Sequence, residues 1–405
     1  MKSTLHVLLT AVMFCAYTSF YKTDPVKNIK VDDLNKSGYT YTVNVSKINS
    51  KYSEIASTTF RNKLIIVSSK KIGGFGNGIN PNTNEPYTDL FCADIKAYGE
   101  LSQPLLFSRI LNTKANEGQV AFSPDEHTIY YTRSTRKNSS HYKLFKAELK
   151  KDSYGKWVNE IELDINSDGY SIENPHVSSD GQFLYFSSNM KDGFGGFDIY
   201  KAKISENGNI GKYENLGSTI NSSEDEKYPY TNKEQKELFF SSKGHGSIGG
   251  YDIFISSITT DNYQSPRNLG RSINSDKDEI GFIFIDDKKG VFSSNKNNKN
   301  NTYNLYRFKS RTLYQELRGI VITEEDKILP NATVVLLNSA GKEIERQITS
   351  SDASYSFRIK PFENYQIKVL KEGFEDYSLK FQSEENRLKA ILKLSSKVSL
   401  NKMKP

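Results

Sequence analysis

The sequence predicts an all-β protein: a five-bladed β-propeller followed by a small β-sandwich of prealbumin or immunoglobulin type. Three observations predict it. One fourteen-residue phrase occurs twice, as SSNMKDGFGGFDIY at 187–200 and SSKGHGSIGGYDIF at 241–254, and weaker copies recur at a regular interval. A short apolar-Asn-Ser/Thr segment returns between the copies, each time followed by a glutamate. From about residue 311 the repeat gives way to short alternating apolar and polar runs. The composition agrees, because 25 Tyr and 23 Phe against one Trp and four Met, with abundant small polar residues, favour strands joined by turns.

The chain opens with MKSTLHVLLTAVMFCAYTSF. A lone Lys2 precedes an apolar run from about Leu5 to Ala16, too short to span a bilayer but suited to a secretory signal. Residues 1–20 are therefore expected to be a signal peptide, 21–39 a linker, and the mature chain to have no transmembrane span. Phe14 stands where a lipoprotein signal has a small residue before Cys15. With Cys15 removed only Cys92 remains, so no intrachain disulfide is expected, and DLFCADI places Cys92 in a strand.

Residues 40–310 hold the repeat. Its apolar strand reads LIIVSSK, IYYTRS, LYFSSN, LFFSSK and GVFSSN, and anchoring on Val67, Tyr131, Phe186, Phe240 and Phe292 gives steps of 64, 55, 54 and 52 residues. Twelve residues beyond the last four anchors stand Lys143, Asp198, Asp252 and Asn304, each before an apolar pair. In the first copy Asp89 plays this part after a ten-residue insertion within 71–88, read either as a partner contact or as a tolerated surface loop. The third element is KINS, ILNT, DINS, TINS and SINS, read as the end of each unit's closing strand. Four strands in about 50 residues is the period of a propeller blade. Strand 43–49 precedes the first blade and none follows the last, so it is expected to fill the outer position of blade five and close the ring.

Residues 311–395 alternate at Ile320/Ile322, Val334/Leu336, Tyr355/Phe357/Ile359 and Tyr365/Ile367/Val369. About seven strands with one buried face make a small sandwich. Residues 396–405 read as a disordered basic tail.

Several motifs invite chemistry. GHGSIG at 244–249 fits a dinucleotide fingerprint, but a strand follows it where a helix N-terminus is needed, so it reads as an inter-strand loop. Asp164, Asn166 and Asp168, with Gly169, have the spacing of a calcium loop. Its twelfth position is Pro175 instead of a bidentate Glu, and the competing reading is that the segment recurs for structural reasons. No cofactor is expected, with Ca2+ at these three residues as the alternative. The five histidines are scattered, which argues against a zinc site or a catalytic triad. Glu54, Glu117, Glu173, Glu226 and Glu279 have two readings. They ring one mouth of the channel and favour a cation or basic peptide, or each accepts hydrogen bonds from the adjacent inter-blade turn. The formal charge of +7 is spread over 55 basic and 48 acidic residues with no compact basic stripe, so nucleic-acid binding is not expected.

The serine-rich strands, glycine loops and GGFDIY/GGYDIF phrases resemble TolB-like, WD-related propeller repeats, although blades one, two and five lack the paired glycine. The second domain resembles the carboxypeptidase-regulatory-like domain in RGIV, LPNATVVL, the TSSD-to-YSF corner and YQIKVLKEGF. That corner ordinarily has a glycine where this chain has Ala353-Ser354. The order of these parts resembles the middle of the OmpA-family multidomain envelope proteins of Bacteroidota. Neither 21–39 nor the residues after Leu394 suit that family's helical-repeat and peptidoglycan-binding parts, so peptidoglycan binding is not implied. The resemblance implies a chain exported to the periplasm or outer membrane, a non-enzymatic scaffold with an envelope protein partner. The alternative is a small-ligand, glycan or cation module at the propeller mouth.

Overall fold

A computed structural model of the chain describes residues 34–394, apart from 72–77, 81–83, 136, 260–261, 299 and 384–388. The expected signal peptide, linker residues 21–33 and the basic tail lie outside the described residues, as does part of the inserted loop.

Five four-stranded antiparallel sheets form the blades. Blade one runs Glu54–Phe60, Lys63–Ser68, Asp89–Asp94 and Leu105–Leu106; blade two Glu117–Phe122, Thr128–Ser134, Tyr142–Leu149 and Trp157–Glu162. Blade three runs Ile172–Val177, Phe183–Ser188, Asp198–Ile204 and Ile210–Asn215; blade four Glu226–Thr231, Glu237–Ser242, Asp252–Ser257 and Arg267–Asn268. Blade five takes Glu279–Phe284, Lys289–Ser294 and Asn304–Thr312 from the end of the repeat and Tyr39–Val45 from the beginning. The strand order within a blade puts two hairpin turns on one face, called lower here. The glycine loops and inter-blade crossovers lie on the upper face.

The closing strand is four residues earlier than the 43–49 expected. Tyr39 pairs with Thr312 and Val45 with Tyr306, while KINS follows as a turn. The same correction applies to all five copies: the outer strand ends before the Asn-Ser/Thr segment, which forms the crossover between blades. Asparagine is a poor strand former, and its side chain has a task in that turn, described below.

Each pair of neighbouring blades shares one apolar cluster. Trp157 and Leu111 lie in the cluster between blades one and two, Leu184 and Ile172 between two and three, and Phe240 and Ile220 between three and four. Between four and five, Phe282 stacks on Phe308 at 4.4 Å and on Phe239 at 5.0 Å. Between five and one, Ile283 and Val291 meet Ala56, Leu64 and Ile66. This last cluster joins the end of the repeat to its start, so the ring is closed by packing as well as by strand exchange.

The sandwich packs a three-stranded sheet, Gln315–Thr323 between Ser354–Ile359 and Lys389–Leu394, with a four-stranded sheet built on Thr333–Asn338 and Asn364–Leu370, flanked by Glu343–Ile348 and Tyr377–Gln382. Val321, Val334, Leu336, Phe357 and Ile367 fill its core. Ala353, at the corner before strand Ser354–Ile359, adopts φ 61°, a left-handed conformation ordinarily given to glycine. Where the domains meet, the Arg267 guanidinium lies 4.5 Å from the Phe362 ring centroid.

Tyr41 is the buried anchor of the closing strand, edge-on to Phe282 and Phe308 at 6.3 and 5.8 Å. Tyr41→Ala is expected to lower stability by about 3 kcal/mol in urea unfolding. Thr42→Ala, exposed on the other face of the same strand, is expected to stay within about 0.5 kcal/mol. Equal effects would mean that the ring does not depend on this closure.

Candidate functional site

The upper face carries the glycine loops, the crossover segments, the five glutamates and the calcium-loop residues. Its organising group is the asparagine of the crossover. Asn221 accepts the Ile199 N–H at 2.7 Å and donates to the same residue's carbonyl at 3.0 Å. Asn274 does this for Ile253, Asn166 for Leu144, Asn112 for Leu90 and Asn49 for Leu305. One carboxamide thus caps the third strand of every blade: it is the partner of the N–H, and it shares the carbonyl with a backbone amide, as Ile199 O also accepts the Leu216 N–H.

The serine or threonine after that asparagine hands the crossover to the glutamate. The Ser222 and Ser275 amides and hydroxyls donate to Glu226 and Glu279, and Ser242 and Ser294 on the second strands add further bonds at 2.6 Å. Thr113 binds Glu117, whose other oxygen meets Arg133 Nε at 3.0 Å, and Ser50 binds Glu54. Glu54, Glu117, Glu226 and Glu279 are all buried. Four of the five predicted channel residues therefore point into the crossovers, as the hydrogen-bond reading describes. Glu173 alone faces the axis, where it pairs with Lys227 at 2.9 Å. It follows its turn by eight residues instead of six, and that offset was the signal in the sequence.

The calcium-loop residues do not converge. Asn166 is occupied by the Leu144 backbone, Asp168 is exposed and pairs with Lys143 at 3.1 Å, and Asp164 is exposed. Among the described residues no group of three or more His, Cys, Asp or Glu side chains is placed to hold a metal.

The glycine runs are points of close approach. A Cβ on Gly195 would lie 2.0 Å from the Glu224 carbonyl oxygen, and one on Gly249 2.4 Å from the Asp276 carbonyl carbon, both in the next crossover. The aspartate of each phrase ties its loop down. Asp198 accepts the Phe194 and Gly195 amides, and Asp252 accepts Ile248 N–H and Asn268 Nδ2. The fingerprint-like GHGSIG is thus a blade-to-blade joint, and strand Asp252–Ser257 follows it.

The axis is nearly filled. Each inner strand has a bulge, and in two of them Asn174 and Tyr228 take positive φ and line the axis with His176, Pro175 and Pro229. The remaining cavity is about 20 Å3, room for one water. Burial pushes the His176 imidazole down to about 3, and Nε2 accepts the Thr231 N–H at 2.9 Å, so this histidine is neutral. Above it the Lys227 ammonium lies 3.5 Å from the Phe197 ring centroid. Tyr251 and Tyr303 donate to Asp225 and Asp278. The plug was not legible in the sequence, because bulges leave no periodic trace.

No known family profile matches the sequence, and no curated protein matches it. Similar solved structures include TolB from Acinetobacter baumannii, 15% identical over 62% of this chain and 52% of that one, TM-score 0.31. A family 117 glycoside hydrolase from Zobellia galactanivorans is 11% identical over 70% of this chain and 92% of its own, TM-score 0.45. The β-xylosidase RS223 is 12% identical over 71% and 98%, TM-score 0.43.

Asn221→Ala strips the Ile199 amide of its buried partner, while the Ile199 carbonyl keeps the Leu216 N–H, and is expected to cost about 1–3 kcal/mol in urea unfolding; an unchanged midpoint would show that water replaces it. Burial pushes the Glu279 carboxyl above its ordinary value, against the hydrogen bonds from Ser275 and Ser294. The folded state therefore holds this proton to higher pH than the unfolded chain. The contribution is complete below the unfolded value of about 4.3 and is lost as pH rises through the folded one. Glu279→Gln is expected to flatten the fall in stability above about pH 4.5 in a urea series across pH; an unaltered slope would place that titration elsewhere.

Proposed function

We propose that this chain is an exported, non-enzymatic interaction scaffold of the bacterial cell envelope, whose propeller docks an outer-membrane or periplasmic protein along its rim. A belt of exposed apolar side chains on consecutive blades carries the reading. Val45 is 58% exposed on the outer strand of blade five, Leu105 69% on blade one, Ile161 45% on blade two and Tyr213 39% on blade three. They pair with Tyr306, Cys92, Lys146 and Ala202, which lie two to four positions into their third strands. The four therefore stand at nearly one height around the ring. Apolar side chains gathered on open strand edges suit a protein partner. The Leu5–Ala16 run and the resemblance to OmpA-family envelope proteins support the location, and the carboxypeptidase-regulatory-like pattern supports a spacer or second contact. Among the described residues no helix is long and apolar enough to cross a membrane.

A second reading, a glycan, small-ligand or cation module at the propeller mouth, draws on the aromatic residues Phe197, Tyr251 and Tyr303 beside the Lys227–Glu173 pair. Lys227→Met separates the two, because it alters the mouth and leaves the rim untouched.

The triple variant Val45→Asp, Leu105→Asp, Ile161→Asp is expected to lose its co-purifying envelope protein in crosslinking from the native host, with stability changed by about 0.5 kcal/mol or less per site. Retention of the partner by this variant, with loss in Lys227→Met, would transfer the function to the mouth.

A further inference from the structure

We propose that a cleft on the lower face, between the inner hairpins of blades four and five, binds an alkylammonium or guanidinium group. The site lies apart from the rim and does not rest on the docking proposal. Its volume of about 370 Å3 lies within the ~300–1,000 Å3 of small-ligand pockets, far above the room left on the axis.

The chemistry of the lining selects a cation. Tyr39 from the closing strand, Tyr230 from blade four and Phe284 from blade five supply aromatic walls. Four carboxylates, Glu234, Glu237, Asp286 and Asp287, line it with one lysine, Lys233; outside the lining Lys289 is spent on Asp286, and Arg267 and Lys360 act on Glu237. Aromatic faces and carboxylates together attract ammonium and guanidinium groups and disfavour anions. The carboxylates divide by task. Asp286 is taken up in its own turn by the Lys288 and Lys289 amides and the Lys289 ammonium. Among the described residues Glu234 and Asp287 make no hydrogen bond or ion pair, and both are exposed at the rim.

Glu237 is the group deepest in the chemistry. It accepts Tyr39 Oη at 2.8 Å on one oxygen and Asn232 Nδ2 at 3.0 Å on the other. A carboxylate accepts about four hydrogen bonds, so each oxygen keeps capacity for another donor. Among the described residues Glu237 forms no ion pair. The nearby Arg267 turns its guanidinium to Phe362 and to the Ser257 hydroxyl at 3.3 Å. Burial raises the Glu237 carboxyl above its ordinary value, and an incoming cation would relieve that penalty.

The source is a free amine or a Lys or Arg side chain of a peptide, and the test separates them. The intact chain is titrated calorimetrically with N-acetyl-lysine methylamide, its arginine counterpart, the uncharged norleucine analogue, an alanine peptide with one central lysine, and calcium chloride. Lysine or arginine derivatives are expected to bind with dissociation constants on the order of 1 mM, and norleucine at least about tenfold more weakly. The rim variant Glu234→Gln/Asp287→Asn is expected to weaken the cations about threefold to tenfold with an unchanged melting midpoint. Glu237→Gln, if it folds, should abolish them. Tighter binding of the peptide than of the single residue would identify a partner segment, and equal binding a free amine; both support the site. Norleucine binding as tightly as lysine, rim variants with unaltered affinity, or heat from calcium alone would overturn it.

Discussion

One carboxamide, repeated five times, holds the propeller to its geometry. Each crossover asparagine bonds both backbone groups of one third-strand residue, a task otherwise left to a neighbouring strand. In blades one and four the outer strand has only two residues, and the asparagine accepts the Leu90 or Ile253 N–H that would otherwise end the third strand unpaired. With the crossover fixed, the following serine or threonine reaches the glutamate that begins the next inner strand. The glutamate's amide in turn donates to the preceding blade, as from Glu226 to the Phe197 carbonyl and from Glu279 to the Tyr251 carbonyl. A blade is thus placed by its predecessor, and the apolar clusters between blades are assembled around that placement.

The glycine joints belong to the same constraint. A crossover held this tightly comes within van der Waals distance of the loop before it, and only a residue without Cβ fits at Gly195 and Gly249. That accounts for the fourteen-residue phrase being written twice in nearly the same letters: serine strand, glycine joint, anchoring aspartate and crossover are one mechanical unit. Blade two reaches a related end by other means, using Arg133 as the buried partner of Glu117 where blades four and five use serine.

Much of this was legible in the sequence because a repeat exposes its period. Five blades, the displaced closing strand and the seven strands of the second domain follow from spacing and alternation alone. The closing strand was misplaced by four residues because the Ile-Asn-Ser segment carries an apolar residue and recurs like a strand end, although Tyr39, Tyr41 and Val43 alternate in plain view. The glutamates were found, with channel and turn both open as their direction, and four of them take the turn. Period reports that a position recurs, whereas burial decides whether its carboxylate meets a turn or the channel. Ala353 shows the converse: the corner takes a left-handed backbone without a glycine, so the conformation there is not announced by its letter. Nothing in the period announces the axial plug or the lower cleft, because both depend on non-repeating side chains from different blades.

The use of charge on the two faces bears on where recognition can occur. On the upper face Asp198, Asp225, Asp278, Glu226 and Glu279 are all committed to backbone amides, hydroxyls or lysine. A carboxylate already surrounded by fixed donors gains little from a new ligand, since binding would exchange one set of hydrogen bonds for another. On the lower face, Glu234 and Asp287 make no hydrogen bond or ion pair among the described residues, and Glu237 is half-satisfied beside aromatic rings. Charges left uncommitted in a ring this economical with its polar groups are where a cation gains most. The apolar belt on the outer strands follows the same logic for a protein partner, because those edges are where the ring stops bonding to itself.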